Sequence, residues 1–414
     1  MKNWVMIGCL LASSSVFSAD LKAPFALPSA KVLPKGVRNL SYKNIMASAE
    51  NKYGANGQSV SLADPLFKNI TFADVIKGKT DPADKGAITQ AMYAIGAKET
   101  DSFGSTTGQV NIKATAHVPV FAIGVSKKMT VAIVVPIIES SMNVSTGVIQ
   151  DNQAMHDKMK AELSAKGVDD KVAELDYKMN DPIPSKAEDF GYKAPVNENK
   201  TVLGDVQMVA KYMAHEDDHN RIVFSSNLVA PTGKDNDVNE MIDVASGDSQ
   251  WDIGLGVSHD YSLSDTVTFS SEMTYTVQLA DQNPERVPFL DNSKATPYID
   301  FNTQRDLGDI LATTFSTKYR NEGWNLGAGY SFQYKQGDKY TGSLYAAQNY
   351  HYLEVDTQQN MQTLILTAGF DTLSLFKAKK FPVPLMLTFG HSRVLAGKNV
   401  VNDPLTSVDF SMFF

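Results

Sequence analysis

Two pairs of residues in this sequence have types and spacings that could support catalysis or metal binding. His215 and His219 stand four residues apart, as two metal ligands on one face of a helix would. They bracket Glu216-Asp217-Asp218 in a predicted turn, however, and nothing indicates a helical face or a further ligand. His391 and Ser392 are a base and a nucleophile by type, but adjacent residues of a strand face opposite sides. We therefore predict that the protein is not an enzyme and has no metal centre or cofactor.

A third group of candidate ligands is acidic. Asp235, Asp237, Asn239 and Glu240 offer oxygen atoms of the kind that calcium prefers. The segment lacks the glycine and the terminal glutamate of the helix–loop–helix calcium site. We interpret residues 235–243 as a solvated loop, and calcium binding remains the alternative.

The elements that position these residues show a period of two. Residues 249–279 form two runs in which apolar and polar residues alternate, separated by Ser262-Leu263-Ser264-Asp265. Alternate residues of a strand face opposite sides, so this is a hairpin with one apolar and one polar face. The runs reach about 13 residues and carry aromatic residues at both ends of the apolar face, as strands that cross a bilayer do.

The same signal predicts an all-β, antiparallel transmembrane β-barrel of about 12 strands, or of 14, with helical extracellular loops. Every second connection is short, and the others are mostly long, which is the pattern of a bacterial barrel with its long loops outside. With an even count, both termini fall in the periplasm. The predicted strands lie near 37–50, 106–124, 128–144, 202–216, 220–232, 249–261, 265–279, 308–320, 323–336, 358–373, 381–395 and 404–414.

The N-terminus indicates export. Residues 1–19 have a positive start, an apolar stretch and a small polar end, as a secretory signal peptide does. The single cysteine, Cys9, lies in this segment, so the exported chain would have no disulfide. We expect a short periplasmic segment over residues 20–36 and the barrel over residues 37–414, with long loops at 51–105 and 145–201. A net charge of -8 argues against nucleic acid as a partner.

The polar face of the strands is the predicted lumen lining. Charged side chains around a water path would select the solutes that pass, whereas the same residues could instead form a salt-bridged network that fills a narrow barrel. Their mixed signs argue against strong anion or cation selectivity. From strand parity, the lumen candidates are Lys113, His117, Lys211, Arg221, Asp252, Asp260, Glu272, Lys318, Lys335 and Asp409.

Two loops contain predicted helices with apolar stripes. Thr80-Asp81-Pro82 starts one, with a capping side chain and proline at the first helical position. The others carry methionines at helical spacing, and methionine adapts to ligands of varied shape. The stripes either pack the loops onto the barrel mouth or receive an apolar ligand above the pore. The candidates for this second role are Met92, Met155, Met159 and Met179.

Residues 203–279 carry a resemblance to a known family. Leu203-Gly204-Asp205 opens a strand, Ala230-Pro231-Thr232-Gly233 closes the next, and residues 247–254 begin a third. This succession resembles the outer-membrane family associated with the meta-pathway of phenol degradation, and more distantly the long-chain fatty-acid and toluene transporters. The resemblance implies passive uptake of small hydrophobic or aromatic molecules. The fatty-acid transporters begin with a longer plug, so a plug of that type is not expected here.

The C-terminal strand resembles the signal that barrel-assembly machinery reads. Phe410, Met412 and Phe414 alternate with polar residues, and the chain ends on an aromatic residue. We therefore expect the outer membrane of a Gram-negative bacterium, with outer-membrane lipid, lipopolysaccharide, the assembly machinery and a small solute as partners. The alternatives are a general or sugar-type porin and a surface adhesin or receptor.

Overall fold

Twelve antiparallel strands close into a barrel, as the sequence predicted. The computed structural model describes residues 21–78, 81–149, 153–167, 187–193, 197–290 and 295–414. The first barrel strand pairs both with the last strand and with the second, so the sheet has no free edge within the barrel. The barrel strands are β1 Arg38–Ala49, β5 Ser102–Gly124, β6 Met129–Val134, β9 Val206–Glu216, β10 Asn220–Ala230, β11 Asp252–Ser262, β12 Val267–Gln278, β15 Ile310–Asn321, β16 Trp324–Lys335, β18 Gln359–Asp371, β19 Leu385–Lys398 and β21 Leu405–Phe413.

Two predicted strands are interrupted at the same height. The predicted strand 128–144 is β6 followed by β7, Ile137–Ile149, with a break at Val135-Pro136. The predicted strand 202–216 is β8, Glu198–Leu203, followed by β9, with a break at Gly204-Asp205. Proline has no N–H to donate to a neighbouring strand, so the ladder is interrupted at Pro136. The two breaks are joined by a 2.8 Å hydrogen bond from the Gly204 N–H to the Pro136 carbonyl. Above this break, β7 and β8 extend the wall beyond the barrel.

The two faces of the barrel differ as the alternation predicted. Large apolar side chains are exposed on the outside, among them Leu255 at 63% and Phe315 at 58%. Small hydroxyl and glycine residues face the lumen. This lining includes the buried residues Ser258, Ser270, Ser316, Ser331, Thr363, Ser392, Ser407 and Ser411. Small side chains leave space inside a 12-stranded barrel for other parts of the chain.

The extracellular loops have their own secondary structure. The two predicted loop helices that fall within the described residues are present, and Asp81 caps the first by accepting a 2.8 Å hydrogen bond from the Ala83 N–H. None of the described helices is long and apolar enough to span a membrane. The remaining elements of these loops are β2 Asn51–Tyr53, β3 Ser59–Ser61, a 3-10 helix Asp64–Leu66, β4 Lys68–Thr71, α1 Phe72–Gly78, α2 Pro82–Ala94, α3 Gln153–Ala165, β13 Asp281–Arg286, β14 Ile299–Asp306, β17 Lys339–Thr341, α4 Ala347–His351 and β20 Val400–Val401. One further helix, α5 Leu373–Lys377, lies at the periplasmic end between β18 and β19.

Candidate functional site: the barrel lumen

Residues 21–35, here called the lumen segment, run through the interior of the barrel. At the extracellular end, the Leu21 N–H donates to Gln359 Oε1 at 2.8 Å. Near the middle, Lys211 Nζ donates to the Ser29 carbonyl at 3.1 Å. At the periplasmic end, the Leu33 N–H donates to Thr130 Oγ1 at 2.7 Å. Further contacts along this path are made by Ser392 with the Pro24 carbonyl and by Lys318 with the Pro28 carbonyl.

Glycines on the inner wall make room for the lumen segment. A Cβ atom at Gly327 would lie 2.3 Å from Leu27 Cδ1, and one at Gly329 would lie 2.6 Å from Leu27 Cδ2. A Cβ atom at Gly124 would lie 2.1 Å from the Pro34 carbonyl oxygen. The prediction that residues 20–36 form a periplasmic segment is therefore corrected for residues 21–35. The small inward residues leave a groove along the barrel wall. The lumen segment, which precedes β1, occupies this groove.

The structure places eight of the ten predicted lumen residues on the inner face. Lys318 lies 4.0 Å from Asp260, and Ser258 Oγ donates to Glu272 at 2.6 Å. Asp409 pairs with Lys43, which is also 5.8 Å from the ring centroid of Phe25 in the lumen segment. The inward residues are Lys211, Arg221, Asp252, Asp260, Glu272, Lys318, Lys335 and Asp409.

Lys113 and His117 are the two exceptions, because they face outward. The inner face of β5 carries the buried apolar residues Val110, Ile112, Ala114, Val118 and Ala122, so its polar residues lie on the opposite face. Asn44 Nδ2 donates to His117 Nδ1 at 3.2 Å, and His117 Nε2 is 3.6 Å from Glu139. The parity prediction failed here because this wall of the lumen is apolar, which reverses the usual pattern.

The loop between β10 and β11, residues 231–251, folds into the extracellular opening, and we call it the mouth loop. Its residues 241–248 are all buried. Met241, Ile242 and Val244 pack in one apolar cluster with Leu66 of the first loop and Ile112 of β5. The entrance is therefore closed by an apolar layer that belongs partly to loops and partly to the barrel wall.

Arg305 holds the mouth loop to the extracellular sheet formed by β13, β14 and β17. Its guanidinium, of which 5% is exposed, lies 2.5 Å from Asp235 and 2.8 Å from Asp281. It also donates to the Asp248 carbonyl at 2.6 Å and lies 3.5 Å from Glu285. Several carboxylates around one cation keep the guanidinium charged, so the pKa of Arg305 is raised despite its burial.

The acidic residues predicted as a solvated loop are paired with cations. Asp237 and Glu240 each bind Lys193, at 3.1 and 3.2 Å. Lys200 Nζ lies 2.9 Å from Glu198, 2.9 Å from Glu240 and 2.8 Å from Asp243. These three acids form the one group in the described part of the chain that is compact enough for a metal ion, and the Lys200 ammonium already binds all three. This pairing favours a lysine-bridged loop over calcium binding.

A second acidic group lies at the top of the lumen and is not paired in this way. The side-chain carboxylates of Asp205, Asp248 and Asp252, here called the acidic cluster, have no Lys or Arg nitrogen within 4.0 Å in the described part of the chain. The Gly233 N–H donates to Asp205 at 2.8 Å, and Gln278 Nε2 donates to Asp248 at 3.2 Å. Burial raises the pKa of Asp205 and of Asp248, whereas Lys22 of the lumen segment lowers both.

The loop methionines pack into a core instead of facing a pocket. Met92 and Met159 are 0% and 1% exposed, in a cluster with Ile88, Leu163 and Phe103 at the outer end of β5. Met155 is partly buried against the same cluster, and Met179 lies outside the described residues. The packing interpretation of these stripes is therefore the one that the described geometry favours.

His215 and His391, which the sequence analysis considered as a metal ligand and a catalytic base, make contacts that support neither role. His215 Nε2 lies 2.9 Å from Asp217 in the turn between β9 and β10, where the bonds from His215 and the backbone lower the pKa of Asp217. His391 is exposed on the outer face of β19, whereas Ser392 is fully buried on the inner face. The two side chains therefore cannot act as a nucleophile and its base.

We predict that the stability of the extracellular sheet depends on pH. Burial raises the pKa of Glu285 to about 7, with Arg305 acting in the opposite direction. An acid whose folded pKa is raised holds its proton longer in the folded state, so the sheet should lose stability as pH rises from about 4.5 to about 7. Amide hydrogen exchange in residues 281–286 and 299–306 should be slower at pH 5 than at pH 8 after correction for the intrinsic rate. Glu285→Gln should abolish the difference, and an unchanged difference in that variant would contradict the assignment.

Sequence reasoning missed the lumen segment, the mouth loop and Arg305. The sequence contains one indication of the lumen segment, which is the set of small inward residues on neighbouring strands, such as Gly327, Gly329 and Gly390. Arg305 stood in a predicted loop, and its partners are 20 to 70 residues away along the chain. No spacing rule connects residues at such separations.

Comparisons with known proteins gave one family and several solved structures. The family model described as "Putative MetA-pathway of phenol degradation" matches residues 96–370. The chain is similar to an outer membrane channel from Pseudomonas putida F1, at 12% identity and a TM-score of 0.49, covering 94% of this chain and 100% of that chain. It is similar to the Ralstonia pickettii toluene transporter, at 10% identity and a TM-score of 0.34, covering 92% and 90%. It is also similar to a Pseudomonas aeruginosa FadL homologue, at 10% identity and a TM-score of 0.32, covering 98% and 95%. A search of the curated proteins found no match.

Proposed function

We propose that this chain, which belongs to the family described as a putative MetA-pathway of phenol degradation, is an outer-membrane channel for passive uptake of small hydrophobic or aromatic molecules. The observation that carries the proposal is the apolar wall of the lumen. Val118 and Ala122 of β5 face inward, and the apolar cluster of Met241, Ile242 and Val244 covers the entrance above them. A concave apolar surface with a few polar groups suits small apolar ligands.

The channel interior argues against the porin alternative. A general or sugar-type porin needs a polar water path from end to end. Here the lumen segment fills the inside and the mouth loop closes the entrance, so passage requires one or both to move. The adhesin alternative has less support, because the loop helices bury their apolar stripes on one another. We assign no enzymatic role to the lumen side chains, whose contacts are those of a packed lining.

Uptake into cells tests this proposal. The protein would be produced in a Gram-negative host that lacks its own general porins, and entry of labelled toluene and labelled arabinose would be measured. Toluene entry should rise with the protein and arabinose entry should not. Val118→Thr keeps the side-chain volume but adds a hydroxyl to the apolar wall, and it should slow toluene entry. Phe121→Leu, on the outer face of the same strand, is the matched control. Arabinose entry equal to toluene entry would establish the porin alternative instead.

Export and assembly are part of the same proposal. Residues 1–19, which lie outside the described residues, would direct export, and lipopolysaccharide and the barrel-assembly machinery would be partners in the outer membrane. The last strand, β21, pairs with β1 and β19 and so closes the barrel. Phe410 and Phe414 are exposed on its outer face, where Met412 also points. These three residues are the proposed assembly signal.

We expect deletion of Phe414 to reduce insertion into the outer membrane while export continues. Besides the proposed signal, the Phe414 N–H and carbonyl both bond to Arg38 across the closure of the barrel, at 3.0 and 2.8 Å. Cell fractionation and a heat-modifiability gel would measure the inserted fraction. Phe414→Tyr, which keeps the aromatic ring and the backbone bonds, is the control. Wild-type insertion after the deletion would show that the terminal residue is not needed.

A further inference from the structure

We propose that the top of the lumen binds organic cations, and that the preferred solute of the channel is a small aromatic molecule with a protonated amine. The proposal rests on the proposed function and narrows its substrate class. It is carried by the acidic cluster of Asp205, Asp248 and Asp252, by unpartnered oxygen atoms beside it, and by the apolar layer next to it.

Acidic groups outnumber basic groups around the acidic cluster. Asp235, Asp281 and Glu285 share the one guanidinium of Arg305. The acidic cluster adds three further carboxylates, and Lys22 acts on all three from a distance greater than that of an ion pair, while Arg305 also acts on Asp248. Six carboxylates therefore face the two cations Arg305 and Lys22. A guest with positive charge would reduce the mutual repulsion, whereas an anion would increase it.

Oxygen atoms that have no hydrogen-bond partner among the described residues supply the second observation. Gln278 is 3% exposed, and its Nε2 donates to Asp248, while its Oε1 has no partner in the described part of the chain. Gln250 is 1% exposed, and its Nε2 donates to Asp281 at 2.7 Å, while its Oε1 has no partner among these residues either. Both amides are oriented by their bonds to carboxylates, so both oxygens are true acceptors. Asp252 Oδ1, which lies opposite Gln278 in the ladder, lacks a partner as well.

These unsatisfied groups all accept and none donates. A buried polar atom without a hydrogen bond is unfavourable, and the complementary guest is one that has donors and no acceptor. An ammonium group, with three N–H donors and a positive charge, meets both conditions. A phenol or an alcohol offers one donor and no charge, so it should bind here less well.

A bare metal ion fits less well than an organic cation. Metal coordination needs ligand atoms that converge on one point. The compact group of acids in the described residues is Glu198, Glu240 and Asp243, whereas the carboxylates of the acidic cluster lie farther apart. Donors that reach separate acceptors suit this wider arrangement, and the N–H bonds of an ammonium point in three directions.

The apolar layer explains why the guest should be aromatic. The mouth loop carries Met241, Ile242 and Val244 into the apolar cluster and, four residues after Val244, places Asp248 in the acidic cluster. One short segment therefore offers an apolar surface beside a carboxylate. A benzylic amine has the matching order, with a ring on one side and an ammonium on the other.

Binding measurements on the purified full-length protein in detergent test the proposal. Benzylammonium chloride is the probe, and benzyl alcohol is its neutral counterpart of nearly equal shape. Isothermal titration at pH 7 should show that benzylammonium binds about tenfold more tightly, as expected for one hydrogen-bonded charge. Asp248→Asn with Asp252→Asn should remove that preference. Asp265→Asn, in an exposed turn at the other end of the barrel, should retain it.

Lys22→Met provides an independent variant, because it leaves the acidic cluster intact. Removing the ammonium of Lys22 should increase affinity for benzylammonium and leave that for benzyl alcohol unchanged. Equal affinities of the wild-type protein for both probes would overturn the proposal. Tight calcium binding that displaces benzylammonium would overturn it in favour of a metal site. Absence of binding by either probe, with toluene uptake intact, would overturn the amine preference alone, whereas loss of toluene uptake in cells would contradict the proposed function.

Discussion

Arg305→Met should loosen the extracellular sheet and the mouth loop by about 3–5 kcal/mol, because it leaves buried carboxylates without their cation. Arg305 is 5% exposed and bonds Asp235, Asp281 and the Asp248 carbonyl. Methionine fills similar space but cannot compensate these charges. Amide hydrogen exchange should become faster in β13, β14 and the mouth loop, and should stay unchanged in barrel strands such as β16.

Arg393→Met is the matched control for this change. Arg393 is exposed on the outer face of β19 and forms no ion pair in the described part of the chain. We expect its replacement to leave exchange in the extracellular sheet as it is. Equal exchange in the wild-type protein and the Arg305→Met variant would show that the mouth loop is held by other contacts.

Leu255→Arg should cost roughly 2–4 kcal/mol, the effect of a charged residue on the lipid-facing surface near mid-membrane. Leu255 lies within β11, is 63% exposed on the outer face and has Tyr275 of β12 beside it. We expect a lower fraction of heat-modifiable, inserted barrel. Leu255→Met, which keeps an apolar side chain of similar volume, should assemble normally. Full assembly of Leu255→Arg would contradict the assignment of this face to lipid.

The strand count was predictable because lipid imposes a regular rule. Each spanning strand alternates over about 10 residues, and this signal is visible in residues 252–262 and 267–278 without any knowledge of their partners. Phe315, Tyr330 and Phe389 follow the same rule and are exposed outside. The alternation therefore determined the number of strands and, for most of them, which face is inside.

The same rule fails where the lumen is not aqueous. On β5 the inward side chains are apolar, so parity assigned Lys113 and His117 to the wrong face. The lumen segment has no period at all, because its backbone bonds to side chains of many strands instead of to one neighbour. Its position follows from the space left by Gly327 and Gly329, which only the assembled barrel reveals.

A disulfide between the lumen segment and the barrel wall tests most directly whether residues 21–35 lie inside the barrel. A Cβ atom at Gly329 would be 2.6 Å from Leu27 Cδ2, so the two positions are in direct contact, and we expect cysteines there to reach the Cβ separation of about 3.5–4.5 Å that a disulfide requires. Because Cys9 lies in the proposed signal peptide, which export would remove, the double variant Leu27→Cys and Gly329→Cys would have no other thiol. Mass spectrometry of outer membranes after mild oxidation should detect the 27–329 crosslink and its loss on reduction. Free thiols at both positions in an inserted barrel would contradict a lumen filled by this segment.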